Sequence, residues 1–91
     1  MTPLDIAVEV AGWSGAVLIL LGYLLISTGK LTGQSPVCQW INLAGAVGFA
    51  INGWWHGAIP STALNVVWAG IAVYALSRIL RRKAPAQATP E

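Results

Sequence analysis

The chain has 91 residues, 9.6 kDa and a formal net charge of +2, which limits it to one domain too small to bury the core most soluble enzymes need. Its hydrophobic fraction is 56% and its charged fraction 9%, against about 45–50% and about 25% in soluble domains. Between Lys30 and Arg78 lie 47 residues without Asp, Glu, Lys or Arg, a stretch that cannot cover a water-soluble surface, so a soluble enzyme, a nucleic-acid binder and a disordered tail are disfavoured.

The first uncharged run, Val10 to Gly29, holds 20 residues. As a helix it spans about 30 Å, the thickness of a hydrocarbon core. An acidic start, Asp5 and Glu9, argues against a cleaved signal peptide, which begins basic. The 47-residue run is too long for one span and carries two breaks. Gly33-Gln34-Ser35-Pro36 relaxes the backbone and then removes a donor, favouring a new first turn. His56-Gly57-Ala58-Ile59-Pro60 is the second. The reading is an all-α integral membrane domain over 1–83, with three transmembrane helices at about 8–28, 36–55 and 60–80. Residues 84–91 (APAQATPE) read as a disordered cytoplasmic tail.

Orientation follows from the basic residues. Arg78, Arg81, Arg82 and Lys83 follow helix three, and Lys30 lies in the first loop. With three spans both regions share one side, which the positive-inside rule makes cytoplasmic. That places the N-terminus outside and the C-terminus inside. The basic cluster also attracts anionic membrane lipid. One Cys and one His supply neither a disulfide nor a metal site, and no cofactor is expected.

Within a membrane the small and polar faces are informative. On helix one, Gly12, Gly15, Ile19, Gly22 and Ile26 share a stripe whose glycines let another backbone approach. On helix two, Asn42, Gly45, Phe49 and Asn52 share a face. On helix three, Ser61, Asn65, Trp68, Ala72 and Ala75 do so. Gly12, Gly15, Gly22 and Gly45 are the packing candidates. Asn65 lies inside the boundary and needs a partner: another helix, or a watery cavity holding a polar solute. Trp13, Trp40, Trp54 and Trp55 lie at interface depths and read as anchors, whereas Trp68 is deeper. His56 reads as a solvated loop residue.

The runs Gly12-Trp13-Ser14-Gly15 and Gly22-Tyr23-Leu24-Leu25, Asn42 with Gly45, Pro60-Ser61, and Asn65-Val66-Val67-Trp68 resemble an uncharacterised family of small bacterial three-helix membrane proteins. More distantly, the chain is similar to the SemiSWEET sugar transporters of the PQ-loop superfamily, with Gly53 seven residues before Pro60 and Asn65 five after it. That resemblance puts a substrate-contacting asparagine at Asn65, a pocket aromatic at Phe49 and an outer-gate position at Asn52. It implies a triple-helix bundle with helix three between one and two, paired as a parallel homodimer in the bacterial inner membrane. Leu25-Ile26 replaces the Pro-Gln pair of those transporters, and the first loop is shorter.

Two functions follow as expectations. In one, Asn65, Phe49, Asn52 and Trp68 line a homodimer pocket that passes a small neutral polar solute such as a sugar. No acidic residue but Glu9 approaches membrane depth, which favours a facilitator. In the other, the glycines and amides pack against a different membrane protein, and the chain is a structural or assembly subunit without transport. An enzyme finds no nucleophile–base pair or paired carboxylates at one depth.

Overall fold

A computed structural model describes residues 2–88, with side chains described as far as Arg82. It consists of three helices, α1 (Pro3–Ser27), α2 (Pro36–Trp55) and α3 (Ile59–Ala88). The starts of α1 and α2 are fixed by caps. Thr2 Oγ1 accepts from the Asp5 amide at 3.1 Å while Asp5 Oδ2 accepts from the Thr2 amide at 2.9 Å. This reciprocal box, with Pro3 in the first turn, starts α1 five residues before the expected start near residue 8. Ser35 caps α2 by accepting from the Cys38 amide at 3.4 Å, and Pro36 follows it. The turns after α1 and α2 place Gly29 and Gly57 at φ 78° and 71°, left-handed conformations that glycine adopts without a Cβ penalty.

The third helix continues past residue 80. Its backbone is helical to Ala88, so 84–88 differ from the expected tail; Ala84, Ala86 and Gln87 are strong helix formers, and Pro85 opposes them. Residues 89–91 lie outside the described residues.

Two corrections concern the arrangement. First, α2 packs against both α1 and α3, and the backbones of α1 and α3 do not approach each other among the described residues. The middle helix is therefore α2, not helix three as the SemiSWEET resemblance implies. The reason lies in composition: α2 offers small residues on two faces, Gly45 and Gly48 toward α1 and Gly53 toward α3.

Second, three transmembrane helices are not supported. Two helices are long and apolar enough to cross a membrane, α1 with mean hydropathy 1.9 and Ile59–Arg82 of α3 with 1.6. The same features that make α2 central, the amides Gln39, Asn42 and Asn52 beside its glycines, dilute its hydropathy. The outward N-terminus and inward C-terminus rested on an odd number of spans, so that orientation loses its premise. The apolar surfaces of α1 and α3 face outward. Only 17% of either apolar window is buried, and Trp13, Leu20 and Leu64 are 70, 66 and 64% exposed. A soluble core helix would be covered instead, and continuous exposed apolar surface of this kind calls for lipid or a partner.

Candidate functional site

The α1–α2 hairpin is built on its glycines. A Cβ on Gly15 would fall 2.7 Å from the Gly45 carbonyl oxygen, and one on Gly22 would fall 3.2 Å from Ile41 Cγ2. Gly12 faces the Asn52 side chain, and Gly45 receives Ile19. All four packing candidates thus lie in one seam inside the chain. Close approach along such a seam adds dispersion contacts and brings interhelical hydrogen-bond partners within reach.

At the Trp55 end of the hairpin the seam becomes polar. Asn52 Nδ2 donates to the Val8 carbonyl at 3.1 Å and to Glu9 Oε2 at 3.3 Å. His56 Nε2 stands 2.8 Å from the same carboxylate oxygen, and Trp55 Nε1 donates to Asp5 Oδ1 at 3.2 Å. His56 is therefore a partner of Glu9 and not merely solvated, and Trp55, expected as an interface anchor, ties α2 to α1 through Asp5. The sequence carried a signal for these pairs. A turn centred near residue 32 sets Glu9 opposite His56, Gly12 opposite Asn52, Gly15 opposite Gly48 and Gly22 opposite Ile41.

Because α1 and α3 meet only α2, a groove remains between them with Phe49 as its floor. On the α3 side lies an open cavity of about 350 Å³ lined by Ile19, Phe49, Ser61, Leu64, Asn65 and Trp68. On the α1 side an adjoining cavity of about 430 Å³ includes Glu9, Gly12, Trp13, Phe49, Asn52 and His56. Phe49 belongs to both. The four proposed contact residues therefore divide: Phe49, Asn65 and Trp68 come together in one cavity, and Asn52 borders the other. Trp68 also borders a third space of about 220 Å³ with Gln39, Asn42 and Ala72, so the lining continues along α2 and α3.

The polar groups differ in what remains for a ligand. Asn52 is engaged in joining α1 to α2. The Asn65 Nδ2 donates at 2.8 Å to the Ser61 carbonyl one turn back on its own helix, a local bond that uses one of the two amide N–H groups without another helix. Asn65 is half-buried and shares the cavity lining with two aromatic side chains, Phe49 and Trp68. Such a site can stack on an apolar ring face and exchange hydrogen bonds with hydroxyl groups. It carries no formal charge; the nearest carboxylate, Glu9, lines the neighbouring cavity. Among the described residues no group of three His, Cys, Asp or Glu side chains is placed to hold a metal ion.

No curated protein and no solved structure matches the chain. A family model does, over residues 8–83, which takes in nearly all of α1, the whole of α2 and α3 to the end of the basic cluster. The chain belongs to that family, whose function is uncharacterised.

Proposed function

We propose that this family member is half of a membrane pathway for a small neutral polar solute such as a sugar, completed when a second, parallel copy closes the groove between α1 and α3. The observation that carries the reading is the cavity whose lining includes Asn65 together with Phe49 and Trp68. An amide in a lining that also holds two aromatic rings suits a ligand with many hydroxyls and no charge. Ligand pockets combine apolar walls with few polar groups in this way. The groove is open on one side, and a wall from a second copy would exclude lipid from it. The pathway is a facilitator, because no carboxylate lines the Asn65 cavity to carry a coupled proton or sodium ion.

From the SemiSWEET resemblance this reading keeps the paired half-pathway and the class of solute, and leaves the helix order aside. It places the protein in the bacterial inner membrane, with α1 and α3 as crossing helices. A second reading, a structural or assembly subunit, is favoured by the Asn65–Ser61 bond, which already gives the amide a partner with no solute present.

The test is oligomeric mass in native-lipid nanodiscs, followed by solute uptake into proteoliposomes for wild type and Asn65→Ala. A dimer whose uptake falls at least about tenfold in the variant, with unchanged helical content, is the expected result; that ratio is about 1.4 kcal/mol of lost stabilisation. A monomer without a partner overturns the pathway, and so does unchanged uptake in the variant. Stable copurification with a different membrane protein, with no uptake, moves the assignment to the assembly subunit.

A further inference from the structure

At the far end of the molecule from Glu9, the structure assigns Arg78, Arg82 and Tyr74 to a binding site for one phosphate group of an anionic ligand, which we propose is a phospholipid headgroup. The apolar part of α3 from Ile59 to Ser77 has a helical length of about 28 Å, so Arg78 stands where the hydrocarbon core gives way to headgroups. Arg78 and Arg82 are one turn apart and share a face. Both line a cavity of about 200 Å³ closed by Gly33 and Gln34 of the α1–α2 loop, with Tyr74 and Ile79 on the helix side.

Each arginine is positioned by a neutral group. Arg82 Nη1 donates to Gln34 Oε1 at 3.4 Å, and Arg78 Nη1 donates to the Tyr74 hydroxyl at 3.4 Å. The Arg78 guanidinium carbon also lies 5.9 Å from the Tyr74 ring centroid. These contacts are long and leave both positive charges uncompensated. Among the described residues no carboxylate pairs with either arginine; the one ion pair there joins His56 to Glu9. Asp5 and Glu9 belong to the opposite end of the hairpin, and Glu91 lies outside the described residues. Two planar guanidinium forks facing one cavity match the bidentate geometry of a phosphate. The Tyr74 hydroxyl accepts from Arg78 and keeps its own proton for a third bond. The site is independent of whether the groove conducts.

Arg81 supplies the contrast. It is exposed, as Arg78 and Arg82 are, but it does not line the cavity, so general attraction of a basic helix end for anionic lipid would use it as readily as Arg78. Two double variants with the same loss of charge separate a site from that attraction: Arg78→Gln/Arg82→Gln and Arg81→Gln/Lys83→Gln. The full chain is reconstituted in nanodiscs of mixed phosphatidylglycerol and phosphatidylcholine, and retained lipid is counted by native mass spectrometry after release. Circular dichroism checks folding.

The expected result is phosphatidylglycerol retained by wild type and by the Arg81/Lys83 variant, and at least about tenfold less on the Arg78/Arg82 variant. Equal losses in the two variants, or no loss in either, would overturn the site. Titration with inorganic phosphate identifies the source. Failure of millimolar phosphate to displace the lipid supports the headgroup. Displacement that depends on Arg78 and Arg82 keeps the phosphate site but overturns the lipid as its occupant in favour of a soluble phosphate ester.

Discussion

Asn52 fills the space that the missing side chain of Gly12 leaves, and from there its Nδ2 reaches the Val8 carbonyl one turn back on α1 at 3.1 Å. The glycine and the amide are therefore one feature. Gly12→Ala on its own drives a methyl into the Asn52 side chain and is expected to destabilise the hairpin by about 1–3 kcal/mol. Asn52→Ala on its own removes the interhelical bond and costs about 1–2 kcal/mol. Combined, the two substitutions should cost less than their sum, because the second makes room for the first, with a coupling of at least about 0.5 kcal/mol. Thermal unfolding of the four proteins in one detergent measures it. Strict additivity would separate the two residues.

The glycines of the chain should divide by what surrounds them. At Gly15 a methyl would meet the backbone oxygen of Gly45 at 2.7 Å, and backbone cannot rotate away as a side chain can. Gly15→Ala therefore forces α1 and α2 apart, at a cost of about 1–3 kcal/mol. Gly70 lies inside α3 with no atom within 4 Å of the added carbon. Gly70→Ala should leave the fold intact or stabilise it by up to about 1 kcal/mol through helix propensity. A matched pair of melting curves decides it, and equal effects at the two sites would contradict the seam.

Much of this hairpin is legible in the amino-acid sequence. The spacing of Gly12, Gly15 and Gly22 marks the seam, and Pro36 with the preceding glycine marks the turn that sets its register. Which helix lies in the middle is not legible there. Small residues occur on all three helices, and only three-dimensional packing reveals that α2 uses two faces while Gly70 of α3 meets nothing. The expectation of a third span fails for a related reason. Absence of charge in α2 marks burial of any kind, and burial between two helices accommodates Gln39, Asn42 and Asn52 where lipid would not. The role of His56 escapes local pattern because its partner Glu9 lies 47 residues earlier.

Gln39 shows how α2 holds the first loop. It is 9% exposed, and its Nε2 donates to the Gly33 carbonyl at 2.8 Å. Gln39→Leu removes that donor and leaves the carbonyl without its partner, at a cost of about 1–3 kcal/mol. The effect should be local. Limited proteolysis within 28–35 is expected to accelerate several-fold while the helical signal is retained. Because Gln34 of the same loop holds Arg82, the variant should also weaken retention of phosphatidylglycerol. Unchanged loop cleavage would remove Gln39 from this role.

Cys38 bears on how any dimer can be detected. Its side chain has no exposed surface, and Asn42 Nδ2 lies 3.9 Å from its sulfur on the same helix. The reactive form of a thiol is the thiolate, and a covered thiol has no path for a reagent. Maleimide labelling of the native protein should therefore be slower than labelling in denaturant by at least about a hundredfold, following the small fraction of time that packing opens. A disulfide between two Cys38 residues should not form under mild oxidation even if the protein is a dimer. Rapid labelling in the folded state, or a ready Cys38–Cys38 cross-link, would mean that this part of α2 is at the surface, and the arrangement with α2 between α1 and α3 would fall with it. A cysteine at Ala16, which lines the cavity on the α1 side of the groove, in a Cys38→Ala background is the better probe, because it reports a neighbouring copy where that side is covered by one.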